Sequence, residues 1–212
     1  MDYPPPPWRL RGAALCVLRL VKMERARPFV PPGLRLLPVL PGRTLGILYF
    51  AAYGPGSDLE YNELIVAPCL VRRGLNSGFW VSHIYVDHPG SQAGGREIWG
   101  LPKELARFHW QVGEQALQVE ARQGETGLAS LGGPFPWWGP ALPLALPAVS
   151  RLGGKNLGFW GLARARLGLS SGRLAVPAAS PLSVLGFAGP CRVFYLDDLR
   201  FTARPPHRLF PS

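Results

Sequence analysis

The sequence predicts a mainly β fold of the α+β class, and three observations carry this prediction. Gly and Pro number 26 and 24 among 212 residues. Almost every segment long enough for a helix therefore contains at least one of them. Short apolar segments rich in β-branched and aromatic residues recur with turns between them, which is typical of strands. The hydrophobic fraction of 47% is large enough to bury a core without cross-links. Together they favour an antiparallel β-barrel or sandwich with a few short helices.

Most elements follow from where Gly and Pro interrupt the apolar segments. The predicted strands are residues 13–21, 34–39, 44–53, 64–71, 78–87, 107–112, 116–121, 173–176 and 192–202. Short helical turns are predicted over 22–28, 91–99 and 181–187. Residues 157–169 read equally as a strand or a helix. Residues 135–149 are apolar but contain four prolines, so neither a helix nor a strand is predicted there.

The chain is predicted to be a single domain over residues 1–212, with residues 1–8 as a proline-rich N-terminal arm. The net charge is +10, but the arginines are scattered singly or in pairs. No nucleic-acid-binding signature accompanies them, so nucleic acid is not expected as a partner. A basic surface that faces solvent or another subunit is the interpretation we prefer.

The cysteines indicate a reducing compartment. There are three of them, far apart and without C-x-x-C spacing, which disfavours a disulfide framework or a zinc site. The N-terminus lacks the apolar segment of a signal peptide, and no apolar run is long enough to span a membrane. These features predict a cytoplasmic protein with no membrane partner.

Lysine is scarce in this chain, so each lysine is a candidate for chemistry that needs a primary amine rather than a guanidinium group. Only Lys22, Lys103 and Lys155 occur among 23 basic residues. Lys103 follows Pro102 and has apolar neighbours in sequence. The proline restricts the backbone conformations available just before the lysine. Burial disfavours an ammonium ion, and the neutral amine is the form that attacks a carbonyl group. Lys103 is therefore the candidate nucleophile, whereas the other two are expected to be surface charges.

The segment around Lys103 resembles the acetoacetate decarboxylase superfamily. That family carries Gly-Arg-Glu, a short spacer, Pro and a Schiff-base lysine, and residues 95–103 read GREIWGLPK with the same spacing. Upstream, residues 61–63 (YNE) are similar to the family's Tyr-x-Glu. Residues 85–87 and 30–34 are similar to two further family segments. The likeness extends over residues 8–121, and weakly to residue 202.

The resemblance implies a cone-like, mainly antiparallel barrel around a buried pocket. It also implies a lyase in which Lys103 forms an imine with a β-keto acid or related keto acid and carbon dioxide leaves. The lysine then serves as the electron sink, so neither a metal nor another cofactor is expected. The family forms homo-oligomers, and a small keto acid is the expected partner.

The resemblance assigns roles to eight residues. Lys103 and Glu63 are the catalytic candidates, with Glu60 as an alternative to Glu63. The remaining candidates are Arg11, Tyr85 and Leu101 as substrate-binding residues and Arg96, Glu97 and Glu104 as supporting residues. Arg11 is proposed because it adjoins Gly12, which aligns with a family arginine that holds the substrate carboxylate. Tyr85 is also compatible with core packing, and Arg96 with Glu97 is read as a structural pair that fixes the lysine loop.

One departure from the family bears on the reaction. Glu104 follows Lys103 where the decarboxylase has a second lysine. Because adjacent residues of an extended chain point to opposite faces, Glu104 is expected to face away from the pocket. The substitution leaves two alternatives open: a Schiff-base aldolase or dehydratase acting on a larger keto acid, or a non-catalytic small-molecule binder.

Overall fold

The computed structural model describes residues 3–209, which form a strand-rich fold with little helix. The strands are β1 (Trp8–Lys22), β2 (Arg35–Leu36), β3 (Arg43–Tyr53), β4 (Tyr61–Ala67), β5 (Cys69–Arg73), β6 (Asn76–Trp80), β7 (His83–Val86), β8 (Lys103–Leu105), β9 (Arg107–Val112), β10 (Ala116–Gln123), β11 (Thr126–Pro134), β12 (Trp137–Leu152), β13 (Lys155–Ala175), β14 (Gly189–Ala203) and β15 (His207–Arg208). The α-helices are α1 (Met23–Ala26) and α2 (Pro89–Trp99), and 3-10 turns cover Arg27–Phe29 and Ser183–Leu185. The mainly β prediction is confirmed.

All fifteen strands within residues 3–209 belong to one mixed sheet. Its main path runs β2-β5-β6-β12-β13-β14-β1-β3-β4-β7-β8, and β9, β10, β11 and β15 branch from it. Most neighbours are antiparallel, but β12 with β6 and β7 with β8 pair in parallel. The path does not return to its starting strand, so the sheet is not a closed barrel. The barrel alternative is thereby corrected, whereas the sandwich alternative is compatible with this sheet.

Several predicted strands are correct in position but differ in length. Residues 64–71 fall in two strands because Pro68 separates β4 from β5 and has no backbone N–H to donate. Residues 78–87 also divide, into β6 and β7. Of residues 34–39 only Arg35–Leu36 is a strand. The hairpin predicted over 107–121 is confirmed by the antiparallel pairing of β9 with β10.

The largest miss is the proline-rich segment, which forms most of the 16-residue strand β12. β12 pairs with β13 along its length, but within residues 3–209 its other edge pairs only at Ala148 and Val149, with β6. Prolines are tolerated on such a free edge because no neighbour needs their missing N–H. β12 and the 21-residue β13 make a long hairpin, which settles residues 157–169 as strand.

Strands β1, β3 and β4 bury side chains on both faces, and this positions the candidate site. Along β1, Leu15 and Val17 enter the larger core cluster, whereas Leu10 and Cys16 lie against a cavity on the other face. β3 and β4 alternate in the same way. Side chains two residues apart share a face of a strand, so one side of these strands builds the core and the other builds a pocket.

The remaining expectations concern the chain as a whole. Among residues 3–209 no helix is long and apolar enough to cross a membrane. Cys16, Cys69 and Cys191 are free thiols. The single-domain prediction for residues 1–212 stays a prediction, and residues 1–2 of the N-terminal arm and 210–212 lie outside the described residues.

Candidate functional site

Lys103 begins β8 and is held by backbone contacts on both sides. Gly100 ends α2 in the left-handed conformation, with φ of 61°, which turns the chain back toward the sheet. The Lys103 amide donates to the Leu101 carbonyl at 2.8 Å. The Lys103 carbonyl accepts from Arg96 Nε at 2.7 Å. These contacts fix the direction in which the Lys103 side chain leaves the strand.

The Lys103 side chain points inward, and the residue is only 2% exposed. Its Nζ donates to Glu63 Oε1 at 2.8 Å and to Ser91 Oγ at 2.9 Å. The Nζ also lies 4.9 Å from the centre of the Tyr61 ring and 5.7 Å from that of Trp8, distances at which a cation is attracted to a ring face. The buried lysine therefore has one carboxylate, one hydroxyl and two aromatic rings around its amine.

Glu63 lies on β4, and its second oxygen faces a chain of phenols. Tyr53 donates its hydroxyl to Glu63 Oε2 at 3.5 Å, and the Tyr49 hydroxyl lies 3.2 Å from that of Tyr53. Burial raises the pKa values of Tyr49, Tyr53 and Tyr61 well above the ordinary range for tyrosine. These side chains therefore stay neutral around neutral pH, and Glu63 is the carboxylate that faces Lys103.

Lys103 and Glu63 line a cavity of about 140 Å³. Its walls come from strands distant in sequence and are mostly aliphatic or aromatic. Apolar wall residues that lie far from Lys103 in sequence include Leu10, Ile47, Leu146, Phe159 and Phe201. Cys16 also lines the cavity, and burial raises the pKa of its thiol to about 12. An apolar cavity with a few convergent polar groups is the usual form of a small-molecule site.

Gly95 on α2 allows the helix to approach the lysine side chain. A Cβ atom at this position would lie 2.5 Å from Lys103 Cδ and 2.6 Å from Cε. The glycine of the Gly-Arg-Glu segment therefore provides space for the lysine stem.

The placement of the predicted substrate-binding residues follows strand alternation. Leu101 lines the cavity, whereas Tyr85 is buried in the larger core cluster, because its neighbour Ile84 is the residue that faces the cavity. Arg11 is exposed on the face of β1 opposite Leu10, and the turn at Gly56 packs against its side chain. Neither Arg11 nor Tyr85 is therefore placed to touch a ligand in this cavity. Glu60, the alternative to Glu63, is exposed.

The three supporting residues lie outside the cavity. Arg96 and Glu97 are both exposed and do not pair with each other among the described residues. Arg96 holds the Lys103 carbonyl, whereas Glu97 accepts from the Tyr3 hydroxyl at 2.6 Å, so each fixes a different segment. Glu104 faces away from the cavity and accepts from Gln123 Nε2 at 2.7 Å, as the alternation of side chains predicts.

Sequence reasoning missed four residues of the site: Ser91, Tyr61 and Trp8 around the amine, and Tyr53 beside Glu63. The position of Tyr61 could have been predicted, because it lies two residues before Glu63 and must share the same face of β4. Ser91, Tyr53 and Trp8 reach the site only through helix and strand packing, which local sequence does not encode. Among the described residues no three His, Cys, Asp or Glu side chains converge as a metal-binding group.

Comparison with known proteins gives both sequence and fold relatives. The chain is 36% identical over 108 residues to Protein NEOXANTHIN-DEFICIENT 1 of Solanum lycopersicum, a match covering 51% of this chain and 36% of the relative. The protein of that name from Oryza sativa subsp. japonica is 38% identical over 103 residues, which are 49% of this chain and 34% of the relative. The matched segment thus spans about a third of each plant relative.

Two solved structures share the fold across nearly the whole chain. The enduracididine biosynthesis enzyme MppR superposes with a TM-score of 0.70 at 17% identity, covering 97% of this chain and 88% of that one. Acetoacetate decarboxylase from Legionella pneumophila superposes with a TM-score of 0.69 at 20% identity, covering 99% and 90%. At these identities the likeness establishes the fold alone.

The family assignment comes from the sequence itself. The family model described as "Acetoacetate decarboxylase (ADC)" matches residues 1–150, which include Lys103, Glu63 and the whole Gly-Arg-Glu segment. The match covers well over half of the chain and agrees with the resemblance of residues 95–103. This chain belongs to the acetoacetate decarboxylase family.

Proposed function

We propose that this protein is a lyase that forms an imine between Lys103 and the carbonyl group of a small-molecule substrate. The observation that carries the proposal is the direction of the Lys103 side chain. The amine enters a largely apolar cavity and lies 2.8 Å from one carboxylate. A lysine with only a structural role has no need of an adjoining cavity large enough for a ligand.

Glu63 is suited to move the protons that imine formation requires. The carboxylate accepts a proton from the Lys103 ammonium, and the neutral amine attacks the carbonyl carbon. The carbonyl oxygen then leaves as water after it has received two protons, of which Glu63 returns one. The lysine nitrogen keeps one hydrogen and ends as a positively charged iminium, so the total charge is conserved.

The iminium withdraws electrons from the neighbouring bonds, and two reactions follow from it. In a β-keto acid the bond to the carboxylate breaks, carbon dioxide leaves and an enamine remains. This is the reaction that gives the family its name. The second candidate is an aldol cleavage or a dehydration, and the contact of Glu63 with the amine favours it, because these reactions need a base beside the imine.

Reductive trapping tests the proposal. The protein is incubated with a panel of short ketones and keto acids, acetoacetate among them, and reduced with sodium borohydride. We expect the intact mass to rise by one reduced ligand in the native chain and not in Lys103→Met, with Lys155→Met as the matched control that still reacts. A folded native protein that no carbonyl compound modifies would contradict the proposal and leave the non-catalytic binder.

A further inference from the structure

We propose that the Lys103 cavity selects an uncharged, apolar carbonyl compound over a keto acid. The inference rests on the proposed imine chemistry and names the substrate class that this chemistry takes. It follows from which groups in the cavity carry charge, and from which of its hydrogen-bond donors are already engaged.

Lys103 and Glu63 are the charged residues of the cavity lining. The three phenols and the Cys16 thiol also line the cavity, but burial raises their pKa values and keeps them neutral. The cavity therefore contains one positive and one negative group, in contact at 2.8 Å. The lining has no surplus positive charge to offer a ligand.

Imine formation preserves this balance only when the ligand is neutral. The iminium carries the same single positive charge as the ammonium it replaces, so Glu63 remains its counter-ion. A ligand carboxylate would add a second negative charge with no positive partner in a largely apolar lining. Removing a carboxylate from water without such a partner is strongly unfavourable.

Several of the other polar hydrogens of the lining are already engaged. Trp8 donates its indole N–H to the Pro4 carbonyl at 2.7 Å, and Trp99 donates to the Arg204 carbonyl at 2.8 Å. The Tyr53 hydroxyl donates to Glu63 and adjoins the Tyr49 hydroxyl. A carboxylate that bound at one of these donors would have to displace the present contact of that donor.

The predicted carboxylate partner, Arg11, lies on the wrong side of β1. Arg11 is exposed, and its backbone amide donates to Ser57 Oγ at 2.8 Å in the turn outside the cavity. Because successive side chains of a strand alternate between faces, Leu10 takes the inward position that Arg11 would need.

The remaining walls suit hydrocarbon groups. Phe79, Phe159 and Phe201 line the cavity from β6, β13 and β14, and Ile47 with Leu146 adds branched apolar surface. A neutral ketone or aldehyde with an alkyl or branched substituent would bury that substituent against these side chains. Such a compound has no carboxylate to lose, so this selectivity favours aldol cleavage or dehydration over decarboxylation.

A pair of ligands with matched shape tests the inference. 5-Methyl-2-hexanone and 4-oxopentanoate share a methyl ketone and differ by an isopropyl group in place of the carboxylate. Each is titrated into the native protein at equilibrium, the iminium is reduced with sodium cyanoborohydride, and the half-saturation concentration is read from the intact mass. We expect the half-saturation concentration of the neutral ketone to be at least about tenfold lower.

Variants then ask whether charge is the cause. Glu63→Gln removes the counter-ion. In this variant the half-saturation concentration of the acid should therefore fall relative to that of the neutral ketone. Arg11→Gln should leave the half-saturation concentration of 4-oxopentanoate unchanged, and a rise would assign the carboxylate to Arg11 and overturn the inference. Equal or stronger trapping of the acid by native protein would also overturn it while imine chemistry stands. If neither ligand modifies Lys103, the inference fails, and the proposed function fails with it when no member of the wider carbonyl panel is trapped either.

Discussion

Two ion pairs of this protein have similar geometry and very different surroundings. Lys103 and Glu63 meet inside the cavity, where their side chains are 3% and 5% exposed. Arg166 and Asp197 meet across β13 and β14 on the outer surface, where the exposed fractions are 48% and 42%. The outer pair is open to solvent and to screening by salt, whereas the inner pair is almost entirely removed from bulk solvent.

The comparison shows that burial decides how much each ion pair contributes to the stability of this protein. An exposed pair adds little to stability because water already solvates both partners. A buried pair has lost that solvation, so each partner depends on the other and removing one leaves an uncompensated charge. The inner pair is thus a costly arrangement, which is expected where a buried amine has a chemical role.

The largest effect is expected from breaking the inner pair on one side. Glu63→Leu leaves the Lys103 amine buried without its carboxylate and should lower the free energy of unfolding by about 3–5 kcal/mol. Urea denaturation measures the change. The double variant Glu63→Leu with Lys103→Met carries no charge at the site and should recover most of the loss. A double variant that is no more stable than Glu63→Leu would contradict the account of the buried pair.

The next effect concerns the position of the amine rather than its charge. Gly95→Ala places a methyl group against the Lys103 stem and should reduce the rate of reductive trapping about 100-fold, because displacing a reacting group by about 1 Å costs that much. Alanine favours a helix over glycine, so melting of α2 is not the cause. Gly54→Ala is the matched control, since a Cβ there meets nothing within 4 Å. Equal trapping rates in the two variants would show that Gly95 does not set the lysine position.

Removing the hydroxyl partner of the amine should have an intermediate effect. Ser91→Ala deletes the 2.9 Å contact with Lys103 Nζ and should lower the free energy of unfolding by about 2 kcal/mol, as for hydrogen bonds to charged groups. Ser77→Ala, at an exposed serine of β6, should change the unfolding free energy by less than about 0.5 kcal/mol. A similar loss in both variants would argue against a specific contact at Ser91.

The smallest effect is expected at the outer pair. Asp197→Asn should lower the free energy of unfolding by less than about 1 kcal/mol, because both partners are substantially exposed. The difference should shrink further in concentrated salt. A loss as large as that of Glu63→Leu would remove the distinction between the two pairs.

Part of this site could be predicted from local sequence, because the motif around Lys103 and the alternation of side chains along a strand are both local features. The segment 95–103 identified Lys103, and the alternation of adjacent residues predicted that Glu104 faces away. The same alternation, applied to β1 and β7, would have placed Arg11 and Tyr85 off the cavity. That step required knowing which neighbour faces inward, and this is fixed by the pairing of β1 with β3 and of β4 with β7.

Other parts of the fold depend on contacts between distant segments. Pro140, Pro143 and Pro147 argued against a strand, and β12 forms because most of one edge has no neighbour among residues 3–209. Ser91 reaches Lys103 only because α2 packs beside β8. The open ends of the sheet are likewise a property of the whole arrangement, so the choice between barrel and sandwich required the structure.

The most direct test of the central claim compares the three lysines of the chain. Native protein is reduced with sodium cyanoborohydride in the presence of 5-methyl-2-hexanone, digested, and sequenced by tandem mass spectrometry. The account predicts that the adduct is on Lys103, although this lysine is 2% exposed, and that the exposed Lys22 and Lys155 remain unmodified at low ligand concentration. Modification in proportion to exposure, with Lys103 unreacted in folded protein, would contradict it.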